Sequence, residues 1–168
     1  MRIIGVDPGT GILGFGVIDC KPKGSPLVLD VGVITTPPHT KLRDRLLDIH
    51  ESLGSIIEAT KPDVMSIEKL FFARNITTAI SVAEARGVVI LTAAQHGLPI
   101  FEYTPLQIKQ TLTGYGRASK KQIQEMVRLT LNMPTIVKPD DAADALAAAI
   151  THNLMSRGGL AQEKDLQL

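Results

Sequence analysis

Four carboxylates sit where the chain turns or a helix begins: Asp7, Glu68, Asp141 and Asp144. Asp7 closes a short apolar run, Ile3 to Val6, and the turn Pro8-Gly9-Thr10-Gly11 follows it. Glu68 closes a second run, Val64 to Ile67. Asp141 and Asp144 are three residues apart at the start of a helical segment, so they share one of its faces. If the two runs are neighbouring parallel strands, Asp7 and Glu68 emerge side by side at their carboxyl ends, the edge where open α/β sheets bind ligands. Four carboxylates converging on one cleft repel one another unless cations occupy it. An all-oxygen donor set favours magnesium or manganese over zinc. Two such ions about 4 Å apart can clamp a phosphodiester, activating water on one side and stabilising the leaving oxygen on the other. Each acid alone also has a plain structural reading: turn chemistry at Asp7, an exposed strand end at Glu68, service to a helix dipole at Asp140, Asp141 and Asp144. All of them falling at element ends is harder to explain that way, and Asp144 lies within an alanine-rich face (Ala142, Ala143, Ala145) that looks packed. Spacing alone permits either Asp140 or Asp141 as the third ligand.

The elements that must position these acids follow from periodicity. Strands are expected over residues 2–7, 12–19 and 27–35, joined by short turns into an antiparallel meander. Gly14 and Gly16 inside the second strand imply close backbone approach. A helix is expected from about Lys41 to Ala59, capped by Thr40, stopped by Lys61-Pro62, with Leu42, Leu46, Ile49, Leu53 and Ile56 on one face. A fourth strand covers Asp63 to Glu68. A long helix from Asn75 to His96, ended by Gly97, is apolar nearly all round, with Ile76, Ile80, Val82 and Val88 to Leu91. A surface helix would show one polar face, so this one is expected to pack on the sheet and on its twin across a two-fold axis. Pro99 to Tyr103 makes a fifth strand, Thr104-Pro105 opens a short helix, and Ser119 to Gln122 reads as a capping box for the next, which Met133-Pro134 ends. A last helix runs from about Asp140 to Met155. The class is α/β: a mixed five-stranded sheet with helices on its faces, one domain over 1–157, and a loose polar tail over 158–168.

Composition narrows the setting. A chain of 168 residues suits one domain with a full core. Cys20 is alone, which excludes an internal disulfide and a cysteine-based zinc site and fits a reduced, cytoplasmic environment. The four histidines have no zinc-ligand spacing. The N-terminal apolar run is too short for a signal peptide, and no stretch is long enough to span a bilayer. The net charge of +1 conceals a basic stretch: between Pro105 and Met133 lie Lys109, Arg117, Lys120, Lys121 and Arg128 against Glu125 alone.

Four motifs carry a family resemblance. Asp7-Pro-Gly-Thr-Gly-Ile-Leu-Gly-Phe-Gly-Val, Ser66-Ile-Glu-Lys-Leu-Phe71, Glu84-Ala-Arg-Gly87 and Asp141-Ala-Ala-Asp-Ala-Leu-Ala resemble, in order and spacing, the RuvC family of crossover junction endonucleases. The similarity runs from residue 1 to about 155. It implies a ribonuclease-H-like fold, a homodimer, magnesium (two ions per site, with manganese able to substitute), and paired symmetric nicks across four-way (Holliday) junction DNA during recombination and repair, beside a branch-migration complex of the same pathway. It maps the catalytic, metal-binding acids onto Asp7, Glu68, Asp141 and Asp144, and Lys109 and Lys120 onto positions near the scissile phosphate. Arg74, Arg117 and Lys121 are candidate contacts to the DNA backbone, a kind of contact that supplies affinity without reading sequence. The loop after Glu68 carries two adjacent phenylalanines that cannot easily both face the core. The resemblance points to Phe71 as the ring that stacks on unpaired bases at the branch point, a contact worth roughly 1–3 kcal/mol, and leaves Phe72 to the core.

Three rivals follow from the same residues. A phosphotransferase of the actin–sugar-kinase type needs two lobes, and this chain has room for one. A non-catalytic DNA-binding module would not need four converging acids. Another nuclease of the same fold is separated from a junction resolvase only by the family motifs.

Overall fold

The computed structural model describes residues 1–69 and 76–159, with side chains from residue 79 in the second segment. Three strands come first, β1 (Arg2–Asp7), β2 (Ile12–Asp19) and β3 (Leu27–Thr35), then helix α1 (Leu42–Thr60), strand β4 (Val64–Glu68), helix α2 (Ile76–Gln95) and strand β5 (Ile100–Tyr103). Helices α3 (Pro105–Thr113), α4 (Lys120–Thr130) and α5 (Asp140–Arg157) follow. The sheet order is β3-β2-β1-β4-β5, with β1, β2 and β3 antiparallel and β4 and β5 parallel to β1. This is the meander-plus-parallel sheet expected from the periodicity. The chain order reverses between β1 and β4, so the carboxyl ends of those strands form the switch point.

Strand alternation sends side chains to two cores. On one side Ile4, Val6, Met65, Ile67 and Ile100 pack with Ile49, Leu53 and Ile57 of α1 and Ala85, Val89 and Ala93 of α2. On the other Ile3, Ile18 and Tyr103 pack with α3, α4 and α5. Helix α5 lies directly on the sheet because both surfaces have been pared back. Ala142, Ala143, Ala145, Ala147, Ala148 and Ala149 are all buried. A Cβ at Gly5 would stand 2.0 Å from the Ala145 carbonyl oxygen, and one at Gly16 would stand 2.6 Å from Leu146 Cδ2. Ser66 Oγ also donates to the Ala148 carbonyl at 2.7 Å, pinning the helix to β4.

Two local expectations need correction. Thr40 does not cap α1: its hydroxyl donates to the Pro37 carbonyl at 2.8 Å, and the N-cap is Lys41, with no side-chain cap. The buried face of α1 is Ile49, Leu53 and Ile57, whereas Leu42 is exposed at the helix start. Both proline- and serine-led helix starts hold. Thr104 with Gln107 and Ser119 with Gln122 form reciprocal capping boxes, with Pro105 at the start of α3. Helix α4 stops at Thr130, a turn before Met133.

His152 is 2% exposed, stacks against Phe101 at 4.2 Å and shares a 2.9 Å hydrogen bond with the Tyr103 hydroxyl. Burial lowers its pKa from the ordinary 6.5 to about 4. As the pH falls below about 6.5 the unfolded chain takes up this proton first, so native stability drops, and the loss is complete only near 4. Over the same range the raised acids of the cleft work in the opposite direction. The His152 contribution is isolated by comparison with His152→Gln. The Tm advantage of wild type over that variant should shrink as the pH falls from 7 to 5, by the equivalent of about 2 kcal/mol. A constant Tm gap would show that His152 is not held neutral.

Candidate active site

Because β1 and β4 are adjacent and parallel, Val6 pairs with Ile67, and Asp7 and Glu68 leave the sheet together at its carboxyl edge. Asp7 is opposite Gly14 of β2. A Cβ at Gly14 would stand 2.0 Å from the carbonyl oxygen of Asp141, so the bare glycine lets the first turn of α5 settle against β2 beside Asp7. Asp144 follows one turn later. Glu68, Lys109 of α3, Lys120 of α4 and Asp144 line a cleft of about 270 Å³, closed on its apolar side by Pro105, Ile108, Ile123 and Ala147.

The electrostatics are those of a crowded anionic site. Burial, then the charges of Glu68, Asp144 and Asp141, raise the Asp7 carboxyl to about 7, against the pull of Lys120. Burial, then Asp144, raises Glu68, with Lys109 and Lys120 opposing. Asp144 is raised by burial, with its hydrogen bond to Lys120 opposing. Lys120 Nζ stands 3.0 Å from Asp144 Oδ2 and 3.4 Å from Asp140 Oδ2. Burial depresses that ammonium, but the hydrogen bonds and charges of these two aspartates outweigh it and its pKa rises.

Asp140 and Asp141, inseparable by spacing, have different surroundings. Asp140 Oδ1 accepts from Lys138 Nζ at 2.6 Å, and that hydrogen bond holds its carboxyl below the usual range. Asp140 already has two lysine partners, whereas Asp141 bears directly on Asp7. Among the described residues no three carboxylates already close into one ligand shell, and Lys120 supplies positive charge beside Asp144. The donor set nevertheless fits a hard divalent cation: all oxygen, half-buried, and charged only against mutual repulsion that such a cation would relieve.

The other sequence candidates divide. Lys109 and Lys120 reach the cleft. Arg117 and Lys121 are exposed and do not line it. Lys121 instead bears on Glu125, which Arg128 holds at 2.6 Å. Phe71, Phe72, Arg74 and Asn75 lie outside the described residues. Sequence reading missed the role of Arg86, which forms an ion pair with Glu102, both largely buried. That pair ties α2 to the end of β5, one residue before Tyr103, the partner of Glu68. A separation of sixteen residues across a helix and a strand leaves no pattern to read.

The family described as crossover junction endodeoxyribonuclease RuvC matches residues 3–152. A RuvC of Caldicellulosiruptor saccharolyticus is 51% identical over 166 residues, covering 99% of this chain and 100% of that protein. A RuvC of Thermomicrobium roseum is 50% identical over 158 residues, 94% of this chain and 95% of that protein. Among solved structures, Thermus thermophilus RuvC in complex with Holliday junction substrate superposes with a TM-score of 0.92 at 34% identity, covering 98% of this chain and 99% of that one.

Proposed function

The chain belongs to the crossover junction endodeoxyribonuclease RuvC family, and from that premise we propose that it resolves four-way DNA junctions by paired, symmetric, magnesium-dependent nicks. The observation that carries this reading is the convergence of Asp7, Glu68 and Asp144 with two lysines at the sheet's switch point, in a chain that matches its relatives end to end. The metal-binding acids are Asp7, Glu68, Asp141 and Asp144. Asp141 is preferred to Asp140 because Asp140 is neutralised by Lys138 and Lys120. Magnesium, two ions per site with manganese able to substitute, would supply the charge that activates water and stabilises the leaving oxygen. Lys109 and Lys120 hold fixed positive charge towards the scissile phosphate, and Lys120 must exchange part of its contact with Asp144 for the phosphate as the strand arrives. Arg74, Arg117 and Lys121 are proposed to bind the DNA backbone.

Residues 1–157 are proposed to act as one nuclease domain in the cytoplasm beside a branch-migration complex; the tail expected over 158–168 lies, from residue 160 on, outside the described residues. Among the described residues no helix is long and apolar enough to cross a membrane. The test is cleavage of a four-way junction compared with duplex, single strands and RNA–DNA hybrid, with and without magnesium. Preferred cleavage of the hybrid would overturn the junction reading in favour of another nuclease of this fold.

Two equivalent strands need two sites, and a C2 dimer supplies them. Helix α2 turns Ala85, Val89 and Ala93 inward, while Ile80 and Leu91 are 57% and 55% exposed, on an outer face with Glu84, Gly87 and Ala94. That face is the proposed contact between protomers. Ile80→Glu with Leu91→Glu should convert a dimer to monomer in sedimentation at micromolar protein, with Tm changed little. A monomeric wild type, with junction present or absent, would rule the dimer out. Phe71 is proposed to stack at the branch point. Phe71→Ala should keep Tm and dimer but lose the unstacking signal of a base-analogue fluorophore at the junction centre. An unchanged signal would remove that role.

A further inference from the structure

The turn that follows Asp7 is held by a chain of hydrogen bonds outside the acidic cleft. Thr10 Oγ1 donates to the Ser81 carbonyl of α2 at 2.6 Å. Thr36 Oγ1 donates to the Thr10 carbonyl at 2.6 Å, and Thr36 N donates to the Gly11 carbonyl at 3.1 Å. Thr36 Oγ1 in turn accepts from Arg45 Nε of α1 at 2.8 Å. Thr10 and Thr36 are each 6% exposed, so the anchor is dry. Arg45 is only half-buried, and among the described residues no carboxylate pairs with it. One edge of its guanidinium is therefore fixed by a buried threonine. The other reaches over Gly11, where a Cβ would lie 3.4 Å from Arg45 Nη2. A planar fork held by one nitrogen and open at the others is pre-organised for an oxyanion, and less side-chain freedom is lost when it binds. Lys41 and Arg43 are exposed in the same stretch, against Asp44, which Arg43 already engages at 3.0 Å.

We propose that Arg45 is a further DNA-binding residue: its guanidinium, anchored by Thr36 over the Asp7 turn, binds a phosphodiester oxygen of a strand entering the site. This rests on the nuclease reading and extends it to the face of the sheet that carries α1, opposite α5. The contact is to backbone, so it adds affinity without sequence preference and leaves a salt signature.

The experiment measures affinity of the full chain for a four-way junction and for duplex DNA across a salt series, with a chelator present to prevent cleavage. Arg45→Gln should bind the junction roughly three- to tenfold more weakly, with a log K against log salt slope shallower by about 0.9, the value for one released counterion. Arg45→Lys should recover the slope but not the full affinity, because an ammonium cannot both hold Thr36 and present a fork. Oligomeric state should not change in either variant, and Tm should fall by no more than the loss of one part-buried hydrogen bond explains. An Arg45→Gln protein with the wild-type slope overturns the proposal, whether or not its affinity falls, since a structural loss would leave the slope alone. A wild type that binds junction and duplex equally, yet shows the Arg45-dependent slope, overturns the junction reading while sustaining this one. A wild type that binds no DNA overturns both.

Discussion

Asp7→Asn should reduce junction cleavage at saturating magnesium by about 10³-fold or more while leaving junction affinity nearly unchanged. The expected loss is large because Asp7 is where the repulsion concentrates: Glu68, Asp144 and Asp141 all press on it after burial, and its carboxyl is held up to about 7. A cation that binds there displaces a proton and relieves three repulsions at once, so its affinity should rise with pH through that range. The amide keeps the shape but not the charge, and several kcal/mol of transition-state stabilisation go with it. The same electrostatics give a second, opposite readout. A carboxyl whose folded pKa lies above its unfolded value near 3.8 costs stability when ionised. That cost is fully present above about 7 and fades as the pH falls through 7 towards 3.8. Metal-free Asp7→Asn should therefore melt a few degrees above metal-free wild type at pH 8, and the difference should vanish near pH 4. Added magnesium should raise the Tm of wild type more than that of the variant. Substantial cleavage by Asp7→Asn would remove Asp7 from the metal site. A variant that melts below wild type at pH 8 would mean that Asp7 is structural.

Sequence carried the strands, their ends and the acids at those ends because each rests on a local signal: an apolar run, a Pro-Gly turn, a capping box. It carried the meeting of Asp7 with Glu68 only conditionally, since nothing local states that β1 and β4 are neighbours. Thr40 was misleading because a hydroxyl before a helix can serve a carbonyl behind it as readily as an amide ahead, and here it serves Pro37. The apolar pattern of α1 included Leu42, but a pattern does not say where the sheet beneath it ends. The all-round apolar character of α2 was legible, though not its division into an inner face at Ala85, Val89 and Ala93 and an outer one at Ile80 and Leu91. Asp140 and Asp141 differ through Lys138 and Lys120, and lysine reach is decided by tertiary placement rather than spacing. The chain from Thr10 to Ser81 spans 71 residues and joins a hydroxyl to a backbone carbonyl, which no side-chain pattern records.

Gly14→Ala should cost roughly 10²-fold in cleavage and several degrees in Tm, although it adds one methyl group on a strand and alters no acidic side chain. Gly14 is paired with Asp7 across β1 and β2, and its missing Cβ is the space that the Asp141 carbonyl approaches. The clash of 2.0 Å is with backbone, so no rotamer change relieves it. Helix α5 must lift or slide by about 1 Å to restore van der Waals contact, and a displacement of that size at a reacting centre costs on the order of 10² in rate. The movement cannot spread evenly along the helix, because Gly5 under Ala145 and Ser66 bonded to Ala148 hold its middle. The start of the helix, with Asp141 in its first turn and Asp144 just beyond it, takes the strain. Gly16→Ala makes the informative contrast. Its Cβ would meet the buried Leu146 side chain, Cδ2 at 2.6 Å and Cγ at 2.7 Å, beyond the acids and with the nearest backbone atom 3.3 Å away, so Gly16→Ala should lose stability with less effect on rate. Junction affinity should hold in both, while the magnesium concentration needed for half-maximal cleavage should rise only for Gly14→Ala. If Gly14→Ala cleaves at the wild-type rate, or if its magnesium requirement is unchanged, then contact between β2 and the start of α5 does not set the position of the metal-binding acids.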